Sequence, residues 1–101
     1  MDNFLAIYRI LKFLQCTIKC TQFPRSDFTP EHFKLADVEF AALLEMLTKR
    51  GLIDGVDVKR SADGMSMLSL FTPRITLPGL EYLHGNEFML KAEEQAKGHS
   101  Q

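Results

Sequence analysis

Cys16 and Cys20 are the two cysteines of the chain, four residues apart. On a helix they would share a face, as a redox pair or as half of an intermolecular metal site. No histidine or further cysteine stands close enough to complete a tetrahedral set, so the plainer expectation is two small apolar side chains in a reducing cytoplasm. His32, His84 and His99 have no acid at a spacing that would make a general base or a ligand. Glu93 and Glu94 are adjacent, which suits a charged helix face better than an acid/base pair. The chain has no nucleophile motif and no Gly-rich phosphate loop. These absences predict a protein that is not an enzyme and needs no metal or cofactor.

A second chemistry is phosphate binding. Lys49, Arg50, Lys59, Arg60 and Arg74 are the cations that fall near turns and element ends. Lys59 and Arg60 flank a turn, where they suit backbone or minor-groove contacts to DNA, although Asp57 and Asp63 could simply balance them. Lys49 and Arg50 better suit charges at the negative end of a helix dipole than ligands. Twelve Lys+Arg against thirteen Asp+Glu give a formal charge of −1, so no global basic field draws the chain to nucleic acid.

The elements that must position these residues are legible as changes of period. With 101 residues, 46% apolar and 25% charged, the composition is that of one globular domain, expected over 1–97 with a frayed tail at 98–101. Phe4, Ile7, Tyr8, Leu11, Leu14 and Ile18 predict an amphipathic helix over 4–20, capped by Asp2 or Asn3. Thr29-Pro30-Glu31 predicts a short second helix over about 30–36. Asp37 is the expected cap of a third, whose Phe40, Leu43, Leu44 and Leu47 face inward until Gly51 reverses the chain. Residues 56–71 alternate around Ser61-Ala62-Asp63-Gly64 and predict a hairpin, with Pro73 interrupting its pairing. Thr76 and Pro78 begin a further helix, in which Gly79 marks a close backbone approach. Asn86 caps a last helix near 87–97. No apolar run is long enough to span a membrane, and no secretory signal is visible, which predicts a cytoplasmic protein.

Helix, short helix, helix, hairpin, helix is the order of a winged helix-turn-helix. The expected class is therefore α+β, mostly α, with a two-stranded wing and an extra C-terminal helix; a helical bundle carrying an incidental hairpin is the rival. Leu47-Thr48-Lys49-Arg50-Gly51-Leu52-Ile53 carries most of this likeness. The opening Met1 to Leu11, the stretch Lys59-Arg60-Ser61-Ala62-Asp63-Gly64 and the segment from Pro73 to Leu83 together resemble the YjcQ-type family, small proteins of Firmicutes and their prophages. The resemblance spans 1–97. It implies the winged-helix fold and a phage or prophage setting, and supplies no site residues.

In a winged helix the third helix usually enters the major groove. Here its outer side carries Asp37, Glu39, Ala42, Glu45, Met46 and Lys49, and carboxylates are repelled by phosphates. The charge of that helix favours a protein-binding adaptor, whereas the habit of the fold favours a DNA-binding transcriptional regulator; double-stranded DNA is narrowly preferred as partner. Leu5, Phe13, Cys16 and Cys20 form a second apolar strip on the first helix. With Phe88 and Met89 on the last, they predict a homodimer interface. The equal alternative is that the last helix folds back on the first within one chain.

Overall fold

Ile10, Leu11 and Leu14 are fully buried and make the first helix, α1 (Asn3–Thr17), the axis of the fold. The structure, a computed structural model, describes residues 3–63 and 66–98, and Arg60 and Ser66 by backbone alone. Asp2, Gly64, Met65 and His99, and with them part of the expected hairpin turn and tail, lie outside the described residues. Among the described residues the architecture is α+β and mostly helical, with four α-helices and a two-stranded antiparallel hairpin.

α1 stops at Thr17, short of the expected Cys20. The Thr17 hydroxyl donates to the Leu14 carbonyl at 2.8 Å, and tight turns follow, with Ile18 N–H on Gln15 and Cys20 N–H on Thr17. Ile18 is exposed, so no core contact extends the helix past this point. The chain then passes a 3₁₀ turn at Arg25–Asp27 and enters a cluster of rings. Phe28 lies at its centre, 5.3–5.9 Å from Phe13, Phe23, Phe33 and Phe40.

The expected helix at 30–36 is a single turn over 30–34. Thr29 caps it by accepting from the His32 N–H at 3.2 Å. Lys34, at φ 58°, closes it: its N–H bonds the Glu31 carbonyl and that of Leu35 bonds Pro30. The cause is tertiary. Phe33 and Leu35 are both buried, and residues two apart cannot share a helix face.

α2 (Asp37–Lys49) also begins differently from expectation. Ala36 takes the N-cap position, where its N–H donates to Glu39 Oε1 at 3.0 Å, and Asp37 is the first helical residue rather than the cap. Phe40, Leu43, Leu44 and Leu47 are buried as the spacing predicts. Gly51 at φ 72° reverses the chain, and Leu52 N–H returns to the Leu47 carbonyl at 3.0 Å.

β1 (Ile53–Arg60) and β2 (Ser66–Ile75) pair with Ile53 opposite Ile75 at the base and Lys59 opposite Met67 near the tip. Between them the register shifts. Gly55, at φ 77°, faces the irregular stretch Phe71-Thr72-Pro73, so Pro73 does interrupt the ladder. Val56, Val58, Leu68 and Leu70 turn toward the core, while Met67 and Phe71 face outward. α3 (Leu77–Gly85) starts as expected, the Thr76 hydroxyl accepting from Gly79 N–H at 3.1 Å. α4 (Glu87–Gly98) is capped by Asn86, whose Oδ1 accepts from Phe88 at 2.8 Å. It packs back on α1, with Met89 and Ala92 buried and Phe88 stacked on Phe4 at 4.5 Å.

Candidate nucleic-acid interface

The base of the hairpin gathers three of the expected cations. Lys49 ends α2 and Arg50 follows it, both exposed. Gly51 turns the chain so that Ile53 meets Ile75, which places Arg74, opposite Asp54, at the same end. The Thr76 hydroxyl donates to the Gly51 carbonyl and ties the two arms together there. Arg74 also borders a cleft of about 720 Å³ between the end of α1 and the irregular part of β2. Arg25, on the same cleft, already donates to the Leu70 carbonyl at 2.9 Å and to that of Phe71.

Lys59 stands apart from this group. Five residues beyond Asp54 at about 3.3 Å each, it lies roughly 17 Å from the base. Its side chain is 76% exposed, and the ammonium lies 3.6 Å from Oδ2 of Asp57, one of the two acids expected to balance it. A pair this exposed contributes little and leaves Lys59 available to another anion. The side chain of Arg60 lies outside what is described.

The outer side of α2 is acidic and apolar. Asp37 and Glu39 are exposed and Glu45 half-buried, with Glu39 engaged by the Ala36 N–H. Val38 is 80% and Met46 55% exposed, and with Ala42 they form a strip at four-residue steps. Ala42 and Met46 were expected on this side from sequence, and the structure adds Val38 to them.

The other expected positions are dispersed. Leu5 and Met89 are buried within the chain, and α4 covers α1 there, so neither offers surface to a second copy. Phe13 joins the ring cluster. Phe88 stays half-exposed beside Phe4, and Cys16 and Cys20 are exposed free thiols. Cys20 lies beyond the end of α1, so the two cysteines do not share a helix, although the Cys20 thiol reaches the Cys16 carbonyl at 3.9 Å. His32 packs edge-on against Phe13 and Phe33, and His84 meets the Gln15 amide at 2.9 Å. Among the described residues no three potential metal ligands come together, and no helix is long and apolar enough to cross a membrane.

No curated protein and no solved structure matches the chain. The family model described as YjcQ protein matches residues 8–99. That span runs from the middle of α1 through α4, taking in α2, the hairpin and every cation of the interface, and the chain thus belongs to the YjcQ protein family.

Proposed function

We propose that this domain is a non-enzymatic winged helix-turn-helix module that binds double-stranded DNA, serving as a cytoplasmic regulator in a phage or prophage setting. The observation that supports it is the hinge: α2 passes through Gly51 directly into a two-stranded wing, with Lys49, Arg50 and Arg74 exposed at the base and Lys59 near the tip. Cations roughly 17 Å apart along β1 can meet phosphates about five base pairs apart. The acids on α2 offer no donors to guanine, so affinity comes from phosphate contacts and carries little sequence discrimination.

Fluorescence anisotropy with a mixed-sequence duplex tests this. Binding falls steeply between about 50 and 200 mM salt, and each lost phosphate contact lowers the slope of log K against log salt by about 0.9. Lys49→Glu with Arg74→Glu, or Lys59→Glu with Arg60→Glu, weakens it strongly; Glu39→Gln with Glu45→Gln strengthens it. Absence of duplex binding at low salt overturns the proposal.

The strip Val38, Ala42 and Met46 favours a second reading, an adaptor that docks α2 on a protein. That reading predicts no duplex binding and no response to any of the three pairs of substitutions.

A further inference from the structure

A groove of about 450 Å³ runs between α1 and the 30–34 turn, remote in sequence from the hairpin and its cations. Tyr8, Phe13 and Phe33 form its floor; Arg9, Lys12 and Lys34 stand on its rim. Among the described residues none of these three cations pairs with a carboxylate, and Lys12 reaches the Gln15 side chain at 3.5 Å. Glu93, the acid whose charge reaches Tyr8, is held by Lys97 at 3.2 Å. The groove is therefore a recessed apolar surface whose rim cations carry no ion pair among the described residues.

We propose that this groove docks an acidic amphipathic helical segment of a protein partner. The length fits: from Tyr8 to Cys16 the groove wall is about 12 Å of helix, enough for two successive turns of a partner to seat apolar side chains. Charge complementarity supplies the rest. Acids flanking an apolar stripe would meet Arg9 and Lys12 on one side and Lys34 on the other. Single-stranded nucleic acid is a poorer occupant, because Phe33 is buried and Phe13 is packed against Phe23, Phe28, His32 and Phe33, so neither ring stands out as a platform for a base. An anionic membrane is also poorer, since the apolar groups lie below the cations instead of protruding past them.

The probe is a labelled acidic amphipathic peptide of about 15 residues, with Leu and Phe at helical spacing and Glu elsewhere. Controls are the same peptide with Lys for Glu, one with Ser for Leu and Phe, a single-stranded oligonucleotide and phosphatidylserine vesicles. The acidic amphipathic peptide is expected to bind in a salt-sensitive way and to lose about tenfold or more in affinity with Lys12→Glu plus Lys34→Glu. Both side chains are exposed, so the melting curve of that variant stays near that of the wild type. In a Cys20→Ser background, a bulky maleimide on Cys16, which lines the groove, should block the peptide. Lys59→Glu should not affect it, so this result and duplex binding succeed or fail separately. The proposal is overturned if the acidic peptide does not bind, if neither the charge reversal nor the Cys16 adduct weakens it, or if the oligonucleotide, the vesicles or a second copy of the chain occupies the groove instead.

Discussion

Replacing Gly79 with Ala should destabilise the domain by about 2 kcal/mol, although alanine is the better helix former. A Cβ at this position would lie 2.1 Å from the Leu52 carbonyl oxygen and 2.7 Å from Ile75 Cγ1. The first of these is backbone, so α3 must retreat by about 1 Å before ordinary contact returns. That carbonyl also accepts the Thr76 N–H at 3.1 Å, the bond that joins the start of α3 to the end of the hinge. Overpacking costs about 1–3 kcal/mol and a weakened hydrogen bond about 1 kcal/mol, against a propensity gain of at most about 1 kcal/mol. Urea titration should show the midpoint lowered with the m-value unchanged, and thermal melts a fall of about 8–16 °C. Gly51 provides the comparison. Its φ is 72° but nothing lies within 4 Å of its would-be Cβ. Gly51→Ala should cost about 1–2 kcal/mol through the backbone alone, and Gly51→Asn less, because asparagine tolerates the left-handed region. Gly79→Ala as stable as the wild type would refute the claim that α3 rests on the Leu52 carbonyl.

Two further perturbations probe the interior. Phe28→Ala, at the centre of the ring cluster and 2% exposed, should cost about 3–5 kcal/mol in chemical denaturation; a loss below about 1 kcal/mol would mean the cluster does not pack as described. The Tyr8 phenol is held above its ordinary value near 10, by burial first and then by the Glu93 charge. Its folded pKa exceeds its unfolded one, so its stabilisation is complete below about pH 10 and is lost as pH climbs through the folded value. Tyrosinate absorbance in a Tyr82→Phe background should show the late titration, and Glu93→Gln should move it back toward the ordinary value.

What was legible in the sequence is what local chemistry decides. Thr76 and Asn86 cap the helices they precede, because each oxygen needs only the amides two or three residues on. Gly51 is the reversal and Gly79 the close approach for reasons a single residue carries. The turn at 30–34 was misread because Thr29 and Pro30 do start a helical turn, and only the burial of Phe33 and Leu35 ends it. The register shift lies at Gly55, just ahead of the expected hairpin of 56–71, because β1 starts earlier, at Ile53, and its partner stretch at Phe71–Pro73 depends on pairing that no local pattern encodes. For the candidate interface, the exposure of Lys49, Arg50, Lys59 and Arg74 was legible, but their division into a base group and a tip residue required the strand register. Arg9 and Lys12 look like the wet edge of α1 until the 30–34 turn brings Lys34 across from them.

The irregular stretch of β2 also bears on how copies of this protein meet at high concentration. A hairpin with Met67 and Phe71 facing water is the kind of ribbon on which other chains grow by adding strands. Growth needs an uninterrupted row of amides and carbonyls. Pro73 has no N–H to give, the Thr72 carbonyl lies against Gly55, and the Arg25 guanidinium holds the carbonyls of Leu70 and Phe71. By occupying two carbonyls of this edge, the Arg25 guanidinium opposes the addition of a further strand, so the hairpin can carry exposed apolar side chains without offering an open template.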